Sequence, residues 1–322
     1  MKNRKILVMG SIAYDFIMNY SGNMNETISS DPNNQIFNLA VMPETKYKSF
    51  GGTAGNIGYN LSLLGASAGL ITSVGKDFVD LGYQDRINNF HDIHFEGIVH
   101  PDLFTATCYI VNDKNKNQLI IFHQGAMVRG EEINLKQKYP EPRNIKIASI
   151  SPDYCPAMIK WAHELHEMKI PFIFDPGQVT PEFQTTTLKD LIPKAFLLIG
   201  NEYEISMILR KMQYTKEQLL ELNPNLIITK GVKGSECHYH GKMFHVPICK
   251  PSVVEDPTGA GDGYRAGLLY ALARDLPFDT ACKLGSVVGS FVVEKIGPQS
   301  QEFTPLQVKD RFKMNFLENI TL

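Results

Sequence analysis

Apolar residues in this chain come in short β-rich runs separated by stretches in which they recur at helical spacing. KILVMG is followed, after a polar interval, by NIGYNLSLLG with a helix pattern, then AGLITSVG and the helical YQDRINNF. Beyond residue 140 come IKIASIS, the helical AMIKWAHELHEM, PFIFD, AFLLIG, the helical EYEISMILRKM and NLIITKG. Val253 and Val254 read as a last strand leading into DPTGAGDG and a helix over YRAGLLYALARDL. Alternation of this kind predicts an α/β chain, a mostly parallel central sheet covered by helices on both faces.

Two segments break the rhythm. Residues 16–50 are polar and too long for an ordinary connection. Residues 96–123 contain TATCYIVNDKNKNQLIIFHQ, which reads as a hairpin turning at Asp113–Asn117. The two are expected to pair as a small β-sheet lid over the sheet edge, leaving 1–15, 51–95 and 124–322 as the core. Several strands run into polar residues: Asp15, Asp175, Asn201 with Glu204, Thr229 with Lys230, and Asp256. Ligands of open parallel sheets bind outside the carboxyl ends of the strands, so these side chains are expected to share one crevice.

Composition narrows the classes. The 322 residues carry 32 basic and 34 acidic side chains, a formal charge of −2, so no basic field recruits nucleic acid or anionic lipid. The five cysteines are scattered, without a CxxC pair, as in a reduced cytoplasmic protein. No stretch approaches the ~18 apolar residues that would span a bilayer. GASAG (65–69) matches a nucleophile elbow in letters only, because a helix precedes it and a strand follows. HELH (163–166) lacks the i, i+4 histidine spacing of a zinc helix. Neither GLITSVGKD nor GAGDGY fits a nucleotide fingerprint of the Walker or dinucleotide type.

Four other stretches fit together. DPTGAGDG joins a strand to a helix; its glycine turn lets N–H groups converge on the positive end of the helix, an anion site. Asp262 inside that site would repel an anionic ligand, and its presence makes chemical sense if it takes a proton. In GGTAGNIGYN, Gly51 and Gly52 allow close approach of a ligand to the backbone, with Asn56 at the helix start as a two-way hydrogen bonder. NEYE sets Asn201 and Glu204 three apart, hard oxygen donors suited to a hydrated magnesium ion. TKGVKG, with Thr229, Gly231 and Gly234, can lie along a nucleotide or form a plain hairpin turn.

Taken together, GGTAGNIGYNLSLLG and DPTGAGDGYRAGLL resemble the two signatures of the ribokinase-like (PfkB) family of sugar and nucleoside kinases, and NEYE and TKGVKG follow in that family's order. GSIAYD, HQGAM and FDPGQ are similar to bacterial adenosine kinases. Gln124 and Gly263 depart from that pattern, where Pro and Ala are usual.

The resemblance implies an ATP- and magnesium-dependent kinase, with a monovalent cation left open, and a homodimer through the lid among the expected assemblies. The N–H groups of Gly259, Ala260 and Gly261 would hold the γ-phosphoryl oxygens while Asp262 takes the proton of the acceptor hydroxyl. Asp15 and Asn56, with the Gly52 backbone, would grip ribose hydroxyls, and Gln178 would sit beside the nucleoside. Phe104 and Phe122 are candidates to stack on the base, or else lid core. The reading is therefore a cytoplasmic adenosine kinase of purine salvage. A sugar kinase, a broad nucleoside kinase and a non-catalytic binding protein on the same fold stand as alternatives.

Overall fold

The computed structural model describes residues 5–31, 36–115 and 117–322. Among them a nine-stranded sheet has the order 242–246, 235–239, 226–229, 197–201, 172–174, 145–150, 5–9, 68–71, 93–95. All neighbours are parallel except at one edge, where 226–229, 235–239 and 242–246 form an antiparallel meander.

Both faces of this sheet are covered, and the strands show it residue by residue. Ile6, Val8, Ile173, Leu197, Ile199 and Ile227 point into one core with the 53–63, 260–273 and 278–292 helices. Their neighbours Leu7, Met9, Phe172, Phe174, Leu198 and Ile228 point into the other, with the 155–167 and 202–212 helices. A strand buried on both sides reads as a continuous apolar run rather than an alternating one.

The two rhythm-breaking segments contribute to a second, four-stranded sheet ordered 118–123, 106–112, 13–19, 45–51. Here the structure corrects the first strand, which ends at Met9. Ser11 turns the chain out of the core sheet, its N–H donating to Pro152 O at 3.0 Å, and Asp15 lies on the next strand, Ala13–Asn19. The expected strand at Val253–Val254 is absent as well. The segment has no sheet neighbour; the N–H groups of Glu255 and Asp256 donate instead to Val293 O at 2.8 and 3.3 Å, beyond the last turn of the 278–292 helix. Val253 and Val254 are 47% and 65% exposed, so burial does not drive them into a sheet.

The helix that begins at Ala260 is held by a glycine crossing. A Cβ on Gly267 would lie 2.6 Å from Leu284 O and 2.9 Å from Gly285 Cα; one on Gly285 would lie 2.8 Å from Tyr264 O. Gly263 is packed in the same way against Val292 Cγ2, at 2.6 Å, which accounts for glycine rather than alanine there. The two helix backbones touch, so neither can slide without the other. Gly267→Ala is expected to destabilise the fold by about 1–3 kcal/mol through overpacking against rigid backbone. Urea denaturation reads the change, and an unchanged midpoint would mean the crossing has slack.

Candidate active site

The carboxyl ends of the core strands open onto a cleft of about 630 Å³. Asp175 follows the 172–174 strand, Asn201 ends 197–201, Thr229 ends 226–229, and the Gly259–Asp262 turn closes the far wall. Asp15, Lys230 and Asp256, expected in the same crevice, are not among its walls. The Lys230 ammonium turns to Glu236, at 2.7 Å. Asp256 accepts from the N–H groups of Thr258 and Gly297, at 2.9 and 3.0 Å, and so pins the glycine turn from outside.

Gly259 is the N-cap of the 260–273 helix, in the left-handed conformation with φ 80°. A Cβ there would also strike Pro298 at 2.5 Å. In the first turn the Ala260 N–H already bonds Pro257 O at 3.2 Å, and the helical ladder begins with Gly263 N–H to Gly259 O at 2.9 Å. The N–H groups of Gly259, Gly261 and Asp262 have no acceptor among the described residues. They add to the positive end of the helix and are the donors an anion would find. Of the expected trio, Ala260 is the one already engaged, and Asp262 contributes its own amide.

Burial pushes the Asp262 carboxyl up from 3.8 to about 7. The Arg265 charge and a hydrogen bond from Asn56 Nδ2 to Oδ2, at 2.8 Å, work against that rise, while Asp175 and Glu204 add to it. Arg265, one helical turn beyond Asp262, pairs with Asp175 through its Nε, and both side chains are buried. It is the one lysine or arginine among the described residues lining the cleft, and sequence reasoning passed over it. Its position three residues after the aspartate on the same helix was the available signal. Gly261 makes room for it: a Cβ there would lie 2.8 Å from Arg265 Nη1.

The Asn201 and Glu204 pair forms a capping box at the start of the 202–212 helix: Asn201 Oδ1 accepts from Glu204 N–H at 2.9 Å, and Glu204 Oε2 from Asn201 N–H at 2.7 Å. Glu204 nonetheless lines the cleft, and burial followed by the Asp175 charge raises its carboxyl above the ordinary range. Asp175 Oδ1 is buried with no hydrogen-bond partner. An anionic oxygen left unpaired in that position calls for a cation or an ordered donor. No group of three His, Cys, Asp or Glu side chains converges as a metal cage among the described residues. Gln178, Gly231 and Gly234 also line the cleft. The Gly231–Lys233 turn joins two antiparallel strands, so it is a hairpin turn and a cleft wall at once.

Asn56 is buried in the first turns of the 53–63 helix, spent on Asp262 through Nδ2 and on Gln299 through Oδ1, at 3.0 Å. A Cβ on Gly51 would fall 2.4 Å from Asp15 Oδ2, and one on Gly52 would fall 2.5 Å from Ser11 O. The space freed by these glycines is therefore taken up by the chain itself. Asp15 has its carboxyl raised to about 6 by burial. In the second sheet it pairs with Cys108, and Cys108 with Phe122, which sets the three on one face. Phe104 and Phe122 are 54% and 48% exposed, neither packed away as lid core, and Lys76 Nζ stands 4.4 Å from the Phe104 ring centre.

A buried acid, a helix start with unpaired N–H groups and a strand-end cleft on this topology have relatives. Residues 3–304 match the family model described as pfkB family carbohydrate kinase. The chain belongs to that family. It is 30% identical to a nucleoside kinase of Methanocaldococcus jannaschii, over 97% of this chain and 98% of the relative. The Burkholderia thailandensis nucleoside kinase in complex with inosine is 32% identical, covers 98% of this chain and 99% of its own, and superposes with a TM-score of 0.82. The same kinase in complex with ADP-inosine is 33% identical, with 98% and 97% covered and a TM-score of 0.80. The fold is ribokinase-like, and the activity that goes with the family is phosphoryl transfer to a hydroxyl group. No helix among the described residues is long and apolar enough to cross a membrane.

Membership of a kinase family makes the energetic position of Asp262 informative. Its native carboxyl titrates at about 7 and its ordinary value is 3.8. Between those values the unfolded chain gives up the proton first, so this residue costs the fold stability as pH rises from about 4 through about 7. Asp262→Asn is expected to melt higher than the parent, by a margin that grows between about pH 5 and pH 8. A margin that stays constant or shrinks over that range would show that the carboxylate is not held against its own ionisation.

Proposed function

We propose that the protein transfers the γ-phosphoryl group of ATP to the 5′-hydroxyl of a nucleoside, with adenosine the preferred acceptor and Asp262 the general base. The observation that carries this is the placing of one carboxylate at a helix start, among free N–H groups, between the cleft and the Asn56 amide. Phosphoryl transfer asks a protein mainly to align its reactants and neutralise charge on the moving group. The N–H groups of Gly259, Gly261 and Asp262 point where that charge develops. A carboxyl that titrates at about 7 takes a hydroxyl proton near neutral pH more readily than an ordinary aspartate.

In this reading the second hydrogen of Asn56 Nδ2 and the Asp15 carboxylate hold the ribose hydroxyls, and the 5′-hydroxyl turns to Asp262. Phe104 and Phe122 offer faces for a purine, and Gln178 stands at its edge. Thr229, Gly231, Gly234 and the exposed Val232 and Val254 form the slot for ATP. Glu204 and the unpaired Asp175 Oδ1 suit a magnesium ion that keeps most of its water and phosphate ligands. When bound there, such an ion would supply charge neutralisation to the phosphates. The product, AMP, makes this a purine-salvage step, and its need for ATP fits the cytoplasm.

Inosine bound to a relative 32% identical over nearly the whole chain favours a second reading, a nucleoside kinase that also takes 6-oxopurines. Release of ADP measured over adenosine, inosine, cytidine, ribose and fructose separates the two. Adenosine should give the highest kcat/KM; inosine ahead of it would move the specificity to the second reading, and a free sugar ahead of both would overturn the nucleoside assignment.

The base is tested separately. Asp262→Asn should lower kcat by at least about a hundredfold. ATP affinity should hold or tighten, since a negative charge beside the phosphates is lost. A folded variant keeping more than about a tenth of parental kcat would exclude Asp262 as the base.

A further inference from the structure

Behind Asp262 lies a row of side-chain amides whose hydrogen bonds all run one way. Arg86, on the 83–88 helix, donates through Nε to Gln299 Oε1 at 2.9 Å and through Nη2 to Gln299 O at 2.5 Å. Gln299 Nε2 donates to Asn56 Oδ1 at 3.0 Å and to the Tyr83 hydroxyl at 2.8 Å. Asn56 Nδ2 donates to Asp262 Oδ2 at 2.8 Å. Gln299 and Asn56 are both buried.

An amide can present either end, and inside a protein only its partners decide which. A guanidinium has donors and no acceptor, so it admits only the carbonyl end of Gln299. That leaves the NH₂ of Gln299 for Asn56, which must then offer its oxygen, and the NH₂ of Asn56 is left for the carboxylate. Tyr83 closes the alternative route, since its hydroxyl proton is spent on Gly51 O at 2.7 Å and only its lone pairs face Gln299.

We propose that Gln299, oriented by Arg86, is a positioning residue that forces the Asn56 amide to present its NH₂ group, and not its oxygen, to Asp262. The inference rests on reading Asp262 as the base. Its consequence is that the ionised, proton-accepting form of Asp262 is favoured from outside the cleft by residues that touch neither substrate.

Two residues further on, Gln301 repeats the arrangement with a different end point. It is buried, and its Nε2 donates to Asn60 Oδ1 at 2.8 Å, one helical turn along from Asn56. Asn60 in turn donates to Asn56 O, a main-chain atom, and does not reach Asp262. Gln301 is therefore a matched control.

The experiment compares Gln299→Glu and Gln301→Glu with the parent through the pH dependence of kcat/KM, using adenosine and ATP-magnesium, and through thermal melting. In Gln299→Glu the introduced carboxylate would pair with Arg86 and accept where the Gln299 amide donates. Asn56 would then turn its oxygen to Asp262, a contact tolerable only while Asp262 carries a proton. The charged groups facing Asp262 from elsewhere, Arg265 on its own helix, Asp175 and Glu204, are the same in all three proteins.

The acid limb of Gln299→Glu is expected to move up by about one pH unit or more, the worth of a hydrogen bond to a charged group. The limb of Gln301→Glu should stay with the parent. Added charge alone would move Gln301→Glu as well, since Gln301 Oε1 is buried and accepts from no group among the described residues. Equal shifts in both variants, or none in Gln299→Glu, overturn the proposal. Should Gln299→Glu not fold, Gln299→Met decides: kcat must fall at least about fivefold with KM for ATP unchanged, since the Asn56 amide is then free to turn. Full kcat in that variant overturns the relay. The base assignment fails independently, through an active Asp262→Asn.

Discussion

Three acids, Asp175, Glu204 and Asp262, face one cleft, and a single buried guanidinium stands among them, paired with Asp175. Arg265 binds Asp175 directly, and its charge lowers the carboxyls of both Glu204 and Asp262. A buried ion pair is seldom a net source of stability, because each charge gives up its hydration. Its worth here is in what it allows. Without Arg265, burial and mutual repulsion would raise the Glu204 and Asp262 carboxyls further. The glycine at 261 follows from the same constraint, because a side chain there would occupy the place of the guanidinium.

The helix start completes the balance. Gly259, Gly261 and Asp262 leave N–H groups unpaired where the helix dipole is positive, so an anionic group and a base can share a few ångströms. The Asp262 carboxyl is set into the first turn of the helix, and the Arg265 charge one turn on works against the rise that burial imposes on it.

Much of this architecture is legible in the chain. Apolar runs bounded by helical stretches identify a sheet buried on both faces, because such strands need no polar side. DPTGAGDG marks a helix start with unpaired N–H groups, because its glycine turn leads the chain into the 260–273 helix without giving those groups an acceptor. Other features leave no local trace. Val253 and Val254 have the letters of a strand, but strand formation needs a neighbour, and their backbone partner is the end of a helix. Asp15 reads as the end of a core strand, yet Ser11 and Pro152 turn the chain out after Met9 and carry it onto the second sheet. Arg265 is marked only by its place three residues after Asp262; its burial against Asp175, ninety positions earlier in the chain, leaves no local trace. Gln299 and Gln301 are two polar residues in a loop until the extended segment lies along the 53–63 helix, its every-second residue meeting that helix's every-fourth.

That last match has a mechanical meaning. Asn56 and Asp262 come from helices 206 positions apart, and the hydrogen bond between them is only as well placed as the helices that carry it. The 260–273 helix is seated by backbone contact across the glycine crossing, and the 53–63 helix is seated by the two glutamines. Gly52, in φ 85° against Ser11 O, fixes where the second helix begins. Each helix is thus constrained by groups with no room to yield: bare backbone on one side and amides of fixed polarity on the other. Asn56 and Asp262 are thereby held as one unit although they belong to different parts of the fold. This is the economy of a site built at strand ends, where the geometry of the reaction is set by how helices pack and not by the loops that reach the substrate.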